Sequence, residues 1–259
     1  MYNPSRRNRN IGTAKQGYGQ SNKLSIPSPY LVSLSFFERL GRYEKVTRVI
    51  NGHTFLFIIE ATNSWSGHAC SIADIERMIG YVPPEDYGSL KFIVLRQPKR
   101  KENIVSPTWG RLIYSYEFEG DYHPAIILES ADYSSRLKWK RRLCIEDQKE
   151  LERLKADGHP FIADKRGFTA ALLQKNVRNT QLYRTLLQFG HYVQYLQMVE
   201  SLSNEEEAYG KYEERWEVYK KVSKECKEKF AHGYADNLMR TLQERKLIPF
   251  EQEVTGNNP

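Results

Sequence analysis

The hydrophobic pattern of the chain changes its period near residue 130. Upstream of that point, short apolar runs separated by turn residues predict β-strands. Residues 46–50 and 53–59 flank Asn51-Gly52, a pair that supplies the two positive φ angles of a type I′ turn, and they therefore predict a hairpin. Further strands are predicted over 91–95, 111–118 and 125–128. This half is predicted to be a small, mostly antiparallel sheet.

Helical spacing dominates the apolar positions after residue 130. The strongest helix is predicted over 180–201, with one apolar face made of Leu182, Leu186, Phe189, Val193 and Leu196. A long Glu/Lys-rich helix is predicted over 204–243, with an inner face made of Cys226, Phe230, Tyr234 and Leu238. Shorter elements are a helix over 145–156, a helix or turn over 168–176 and, upstream, a helix over 72–79 capped by Ser71.

The same pattern divides the chain into a tail and one folded domain. Residues 1–28 hold few apolar side chains and are predicted to be a disordered basic tail. Residues 29–250 are predicted to form a single α+β domain, sheet-rich over 44–130 and helical over 131–246. Residues 251–259 are predicted to be a frayed end.

Composition narrows the class of protein. Hydrophobic residues make up 40% of the 259 residues and charged residues 27%, which is typical of a soluble globular chain. The longest clean apolar run, 55–59, is far shorter than the roughly 20 residues that a membrane-spanning helix needs. The three cysteines are widely spaced, which favours a reducing compartment. The sequence therefore predicts a cytoplasmic protein without a membrane partner.

Charge points to two basic segments. Residues 1–24 carry five of the seven net positive charges, which leaves a net charge of +2 for the rest of the chain. A second basic run, interleaved with Trp139, consists of Arg136, Lys138, Lys140, Arg141 and Arg142. These two segments are candidate contacts to nucleic acid, through its phosphates. The alternative for 136–142 is a solvated face balanced by the acids that follow, Glu146, Asp147 and Glu150.

Two helical segments carry the candidate chemistry. The first reads Thr185-Leu186-Leu187-Gln188-Phe189-Gly190-His191, and the second reads Lys227-Glu228-Lys229-Phe230-Ala231-His232-Gly233-Tyr234-Ala235. In order and spacing they resemble the zincin metallopeptidase superfamily, in its compact bacterial SprT- or ImmA-like forms. Together with the strands predicted before them, the resemblance covers about residues 70–245. It implies a zincin-like α+β fold in which a small mixed or antiparallel sheet precedes a helical half.

The resemblance also implies a zinc site, which this chain carries only in part. Such proteins bind zinc through two His four residues apart on one helix, with a Glu beside the first His as general base. His191 stands at the second His and Glu228 at the third ligand, but Leu187 replaces the first His and Gln188 the general base. Leucine cannot ligate zinc, and glutamine cannot take a proton from water. The resemblance therefore implies a degenerate metallopeptidase that holds no cofactor and acts by binding a protein or peptide.

Three alternatives remain open at this point. His191, Glu228 and His232 form a candidate three-ligand zinc site for an active hydrolase, since Glu228 and His232 are four residues apart. A loop histidine, His123 or His159, is a further candidate for the lost ligand. The third alternative is a nucleic-acid accessory protein that binds nucleic acid through its two basic segments. The sequence does not indicate an oligomeric state.

Overall fold

The structure is a computed structural model, and it describes residues 38–98, 109–133, 136–200 and 208–250. The chain divides into two compact units, Met1–Arg39 and Leu40–Pro259, and the described residues lie almost entirely in the second unit. The predicted tail, 1–28, and the predicted frayed end, 251–259, lie outside the described residues.

Five strands form the main sheet. They are β1 (Tyr43–Ile50), β2 (His53–Glu60), β4 (Phe92–Arg96), β5 (Gly110–Phe118) and β6 (Asp121–Glu129). Their order is β1-β2-β4-β6-β5, with β2, β4 and β6 parallel and the outer two strands antiparallel to their neighbours. Strand β5 therefore lies at one edge of a mixed sheet. The prediction of a mostly antiparallel sheet is wrong, because the chain crosses over between β2 and β4 and between β4 and β6, which makes both of these pairs parallel. A separate two-stranded pair joins β3 (Ser66–Gly67) to β7 (Ala131–Asp132).

Two local predictions in this half are confirmed. Asn51 and Gly52 adopt φ angles of 50° and 82° between β1 and β2, as a type I′ turn requires. Ser71 caps helix α1 (Ile72–Ile79) through a capping box, because its hydroxyl accepts the N–H of Asp74 while the Asp74 carboxylate accepts the N–H of Ser71.

Four further helices build most of the second half. They are α2 (Ile145–Ala156), α3 (Gln174–Tyr195), α4 (Ala208–Lys221) and α5 (Lys224–Glu244). The single helix predicted over 204–243 is broken, because the Ser223 side chain accepts the N–H of Cys226 and starts a new helix there. Cys226 is exposed, so its predicted place on the inner face is wrong, and Ala231, Ala235 and Leu242 are the buried positions.

A three-stranded sheet lies where the sequence predicted only helix or turn. It consists of β8 (Arg136–Lys140), β9 (Phe161–Ala163) and β10 (Gly167–Ala171), in the order β8-β10-β9. Strand β8 alternates exposed and half-buried positions, a period of two that its charge obscured in the sequence. Gly167, at φ 151°, lies so close to β8 that an added Cβ would fall 2.0 Å from the carbonyl oxygen of Trp139.

The main core lies between the five-stranded sheet and helices α1, α3 and α5. Leu182, Leu186, Phe189 and Val193 are buried along α3, which confirms most of its predicted apolar face. The fold is therefore α+β, with a five-stranded mixed sheet followed by a mainly helical C-terminal half. None of the helices in the described ranges has both the length and the apolar character that crossing a bilayer requires.

Candidate binding cleft

Helices α3 and α5 lie in close contact at Gly190. A Cβ at this position would lie 2.7 Å from the carbonyl oxygen of Ala231 and 2.8 Å from its Cα. Only glycine accommodates this contact without moving the helices apart. His191 follows Gly190 directly, and Glu228 lies about one turn before Ala231 on α5. The close contact therefore brings the His191 and Glu228 side chains together.

Three of the predicted site residues meet at one carboxylate oxygen. Oε2 of Glu228 lies 3.6 Å from Nε2 of His191 and 3.9 Å from Nε2 of His232. These separations are those of ion-pair neighbours and exceed ordinary hydrogen-bond lengths. The pKa of Glu228 lies below its usual value, chiefly because His191 faces the carboxylate, while burial acts in the opposite direction. Glu228 is therefore held as an anion in the cleft.

Tyr183 and Asp236 hold the ring of His232 in place on the side opposite Glu228. The Tyr183 hydroxyl donates to Oδ1 of Asp236 at 2.9 Å and lies 2.7 Å from Nδ1 of His232. These contacts hold the imidazole ring of His232 beside Glu228. Burial, followed by the charge of Arg184, lowers the pKa of His232, so its neutral form is favoured.

The cleft in front of His191 and Glu228 has a volume of about 360 Å³. One wall is formed by Trp109 and the first residues of β5, and the other is formed by α3 and α5. Leu187 and Gln188 line the cleft beside His191, and both are buried. An apolar group and a neutral amide therefore occupy the two positions at which the resemblance places a metal-binding His and a general base.

Strand β5 offers an open backbone edge to this cleft. The N–H of Glu129 donates to the carbonyl oxygen of Trp109 at 3.1 Å, and the register continues with Arg111 opposite Ile127. In an antiparallel pair only alternate residues bond to the neighbouring strand, so the backbone groups of Gly110 and Leu112 point away from β6. Within the described ranges, no other strand pairs with this edge.

A charged wall joins the cleft to a larger groove. The indole N–H of Trp109 donates to Glu150 at 3.1 Å, and a guanidinium nitrogen of Arg184 lies 3.5 Å from the same carboxylate. Burial raises the pKa of Glu150, while Arg184 and Trp109 act in the opposite direction. These three residues also line a groove of about 1520 Å³ that extends past α2 and α5 to β8.

The donors of this cleft do not fit a zinc ion as they stand. Leu187 contributes no ligand, and both histidine nitrogens approach the same oxygen of Glu228 rather than a common point between separate ligands. Across the described ranges, no group of three or more His, Cys, Asp or Glu side chains is arranged to hold a metal ion. His123 and His159 lie away from the cleft, against the Phe92 ring and the N–H of Leu173 respectively.

The basic run 136–142 forms strand β8 and the turn after it. Arg136, Lys138 and Lys140 are exposed on one face of the strand, and Arg141 and Arg142 are exposed beyond it. Trp139 is half-buried and packs against Phe161, 6.2 Å between ring centroids, so it is not presented with the cations. No described carboxylate forms an ion pair with any of the five cations. The other candidate nucleic-acid contact, 1–24, lies outside the described residues.

Sequence reasoning missed the residues that surround the predicted site. The sequence did not identify Tyr183, Asp236, Arg184 or Trp109 as site residues, and it placed Glu150 only among the acids that balance 136–142. Asp236 lies four residues after His232 and so on the same helix face, which is a signal that could have identified it. Comparison of the chain with protein-family models, with curated proteins and with solved structures found no match in any of the three.

Proposed function

We propose that this chain is a catalytically degenerate, metallopeptidase-like protein that binds an extended peptide segment along β5. The observation that carries the proposal is the position of the cleft. An open strand edge, Gly110 and Leu112, forms one wall, and His191 and Glu228 form the opposite one. Strand addition to such an edge supplies affinity through backbone hydrogen bonds, and pockets for alternate side chains supply selectivity.

The order of elements supports a zincin-like fold. A mixed sheet with β5 at its edge precedes α3, which carries the Gly190-His191 pair, and α5 follows with Glu228. The helix register of the resemblance also agrees with the cleft, since Leu187, Gln188 and His191 all line it. The proposed likeness therefore rests on position as well as on residue type.

Binding without hydrolysis follows from the side chains at those positions. Leu187 has no donor atom for a metal, and the Gln188 amide cannot act as a base toward water. Glu228 faces two histidines rather than a complete ligand set. Extended peptides are therefore expected to be held and not cleaved, and a protein or peptide is the proposed partner class.

Peptide selection tests the proposal. Peptides selected from a random phage-displayed library against the purified full chain are expected to bind in fluorescence anisotropy. His191→Trp fills the cleft and should weaken their binding by about tenfold or more, which corresponds to at least one lost ladder hydrogen bond or side-chain contact. The control, Tyr122→Trp, also introduces a tryptophan, at an exposed position of β6 outside the cleft, and should leave binding unchanged.

Two results would overturn this proposal. One is that no peptide is enriched over a library panned against the His191→Trp variant. The other is that every selected peptide binds the wild type and His191→Trp equally well.

A gain of zinc binding tests the helix register. Leu187→His combined with Gln188→Glu should create a three-ligand site with His191 and Glu228, because two His four residues apart project from one helix face. We expect isothermal titration to show about one zinc per folded chain. Adding Glu228→Gln to this variant should weaken zinc binding again. A folded double variant that binds zinc no better than the wild type contradicts the register.

The unaltered chain distinguishes binding from hydrolysis. We expect metal analysis of purified protein to show no zinc that depends on His191. Near-stoichiometric zinc that His191→Ala removes would contradict the proposed degenerate function and favour an active zinc-dependent hydrolase.

A further inference from the structure

Strand β8 has an open backbone edge of its own. In β10, Gly167 accepts the N–H of Asp164, and Ala171 donates its N–H to Pro160, so these two residues bond toward β9. Successive residues of a strand direct their backbone groups to opposite sides, so the backbone groups of Phe168 and Ala170 point toward β8.

The residues of β8 that lie opposite Phe168 and Ala170 determine which backbone groups of β8 can bind another strand. Trp139 lies opposite Phe168 and Leu137 opposite Ala170, so both bond to β10. The backbone N–H and C=O groups of Arg136, Lys138 and Lys140 therefore point to the other side. Within the described ranges, no strand pairs with that side and no backbone hydrogen bond reaches it. The three residues that offer free backbone groups are also the three exposed cations of the strand.

This edge borders the larger groove. Both the outward-facing Lys138 and Lys140 and the inward-facing Leu137 and Trp139 line it, as expected if the strand presents its edge rather than one face. Arg142 continues the positive charge just beyond the strand. The carboxylates that line the groove belong to helices α2 and α5 and not to β8; they are Asp147, Glu150, Glu152, Glu225, Glu228 and Asp236. An incoming chain would thus meet hydrogen-bonding groups and positive charge at the same alternate positions.

We infer that β8 binds an extended acidic peptide by strand addition, with carboxylates at alternate positions opposite Arg136, Lys138 and Lys140. Oppositely charged side chains directly across two paired strands stabilise the pairing. The backbone edge supplies the remaining affinity through its N–H donors and C=O acceptors. This inference is independent of the peptide proposed at β5, since β8 belongs to a different sheet.

The chemistry of the edge favours a peptide over a nucleic acid. A phosphodiester backbone has acceptors but no N–H donors, so it could pair with the N–H groups of this edge but not with the carbonyl oxygens of Arg136, Lys138 and Lys140, whereas a peptide strand pairs with both. Single-stranded nucleic acids also gain much of their affinity by stacking on exposed aromatic rings. Trp139 instead packs against Phe161 and lies on the side away from the cations.

The test uses the full chain and a fluorescein-labelled peptide with Glu at three alternate positions and Val between them. We expect binding in fluorescence anisotropy that Lys138→Glu with Lys140→Glu weakens by about tenfold or more. N-methylation of the peptide amides that face β8 should weaken it similarly. The His191→Trp variant should bind this peptide as the wild type does, which separates the inference from the cleft at β5.

A matched control variant tests whether the change in net charge alone lowers the affinity for the peptide. Lys165→Glu with Arg166→Glu makes the same change in charge at exposed positions between β9 and β10, outside the groove. This variant should keep its affinity for the peptide. Equal loss in both double variants would overturn the inference, as would equal binding of a peptide with the same residues but consecutive Glu. Binding of an oligo-dT probe that depends on Lys138 and Lys140, with no binding of the peptide, would also overturn it.

Discussion

Replacing Gly190 with alanine is expected to lower the free energy of unfolding by about 1–3 kcal/mol. The added Cβ would lie 2.7 Å from the carbonyl oxygen of Ala231, and backbone atoms cannot yield as a flexible side chain can. Helices α3 and α5 must therefore separate, which outweighs the better helix propensity of alanine. Urea denaturation monitored by circular dichroism measures the change. The same separation should pull His191 away from Glu228.

Gly233 provides the matched control on α5. It is exposed, and an added Cβ would meet no heavy atom within 4 Å. Gly233→Ala should therefore raise the free energy of unfolding by about 0.5–1 kcal/mol, since alanine restricts the unfolded chain. If both variants prove more stable than the wild type, the helices do not approach each other at Gly190 as described.

The second large effect is expected at the buried ion pair of the main sheet. A guanidinium nitrogen of Arg96 lies 3.0 Å from Oε1 of Glu129, and the two side chains are 0% and 4% exposed. Arg96→Met leaves the Glu129 carboxylate buried without its main partner and should cost about 3–5 kcal/mol. Arg111 lies 3.5 Å from the same oxygen, so the loss should fall toward the lower end of that range.

The position of this pair links it to the cleft. Gln181 of α3 donates its side-chain N–H to the carbonyl oxygen of Glu129, so the pair lies where α3 meets the sheet. Arg48→Met breaks the half-exposed ion pair with Glu76 by the same substitution and should cost less than about 1 kcal/mol. Thermal or urea unfolding compares the two variants. Equal losses would mean that burial does not set the strength of the Arg96–Glu129 pair.

Local signals explain which parts of the fold the sequence predicts. The Asn51-Gly52 turn, the Ser71 cap and the apolar face of α3 depend on neighbours within a few residues, and the structure has all three. Strand β8 also has a local signal, its period of two, but its clustered cations are equally typical of a charged surface, so no strand is predicted there. The break before α5 depends on one cap, Ser223, inside a segment of uniform helical composition.

The residues of the candidate site also fall into those that a local pattern predicts and those that depend on tertiary packing. His191 and Glu228 stand out from short patterns on their own helices, and the structure brings them within 3.6 Å. Tyr183 could not be assigned from the sequence, because its contact with His232 and Asp236 depends on how α3 packs against α5. The edge position of β5 is likewise set by the pairing of β6 with both β4 and β5, which no local pattern specifies.

Amide hydrogen exchange at Gly110 and Leu112 tests the proposed peptide cleft most directly. Their N–H groups point away from β6, so they should exchange readily in the free chain, whereas the N–H of Arg111 faces β6 and serves as an internal reference. Binding of a selected peptide along β5 should slow exchange at Gly110 and Leu112 by about tenfold or more and leave Arg111 little changed. Unchanged exchange at both residues in a peptide-saturated sample would contradict binding along β5.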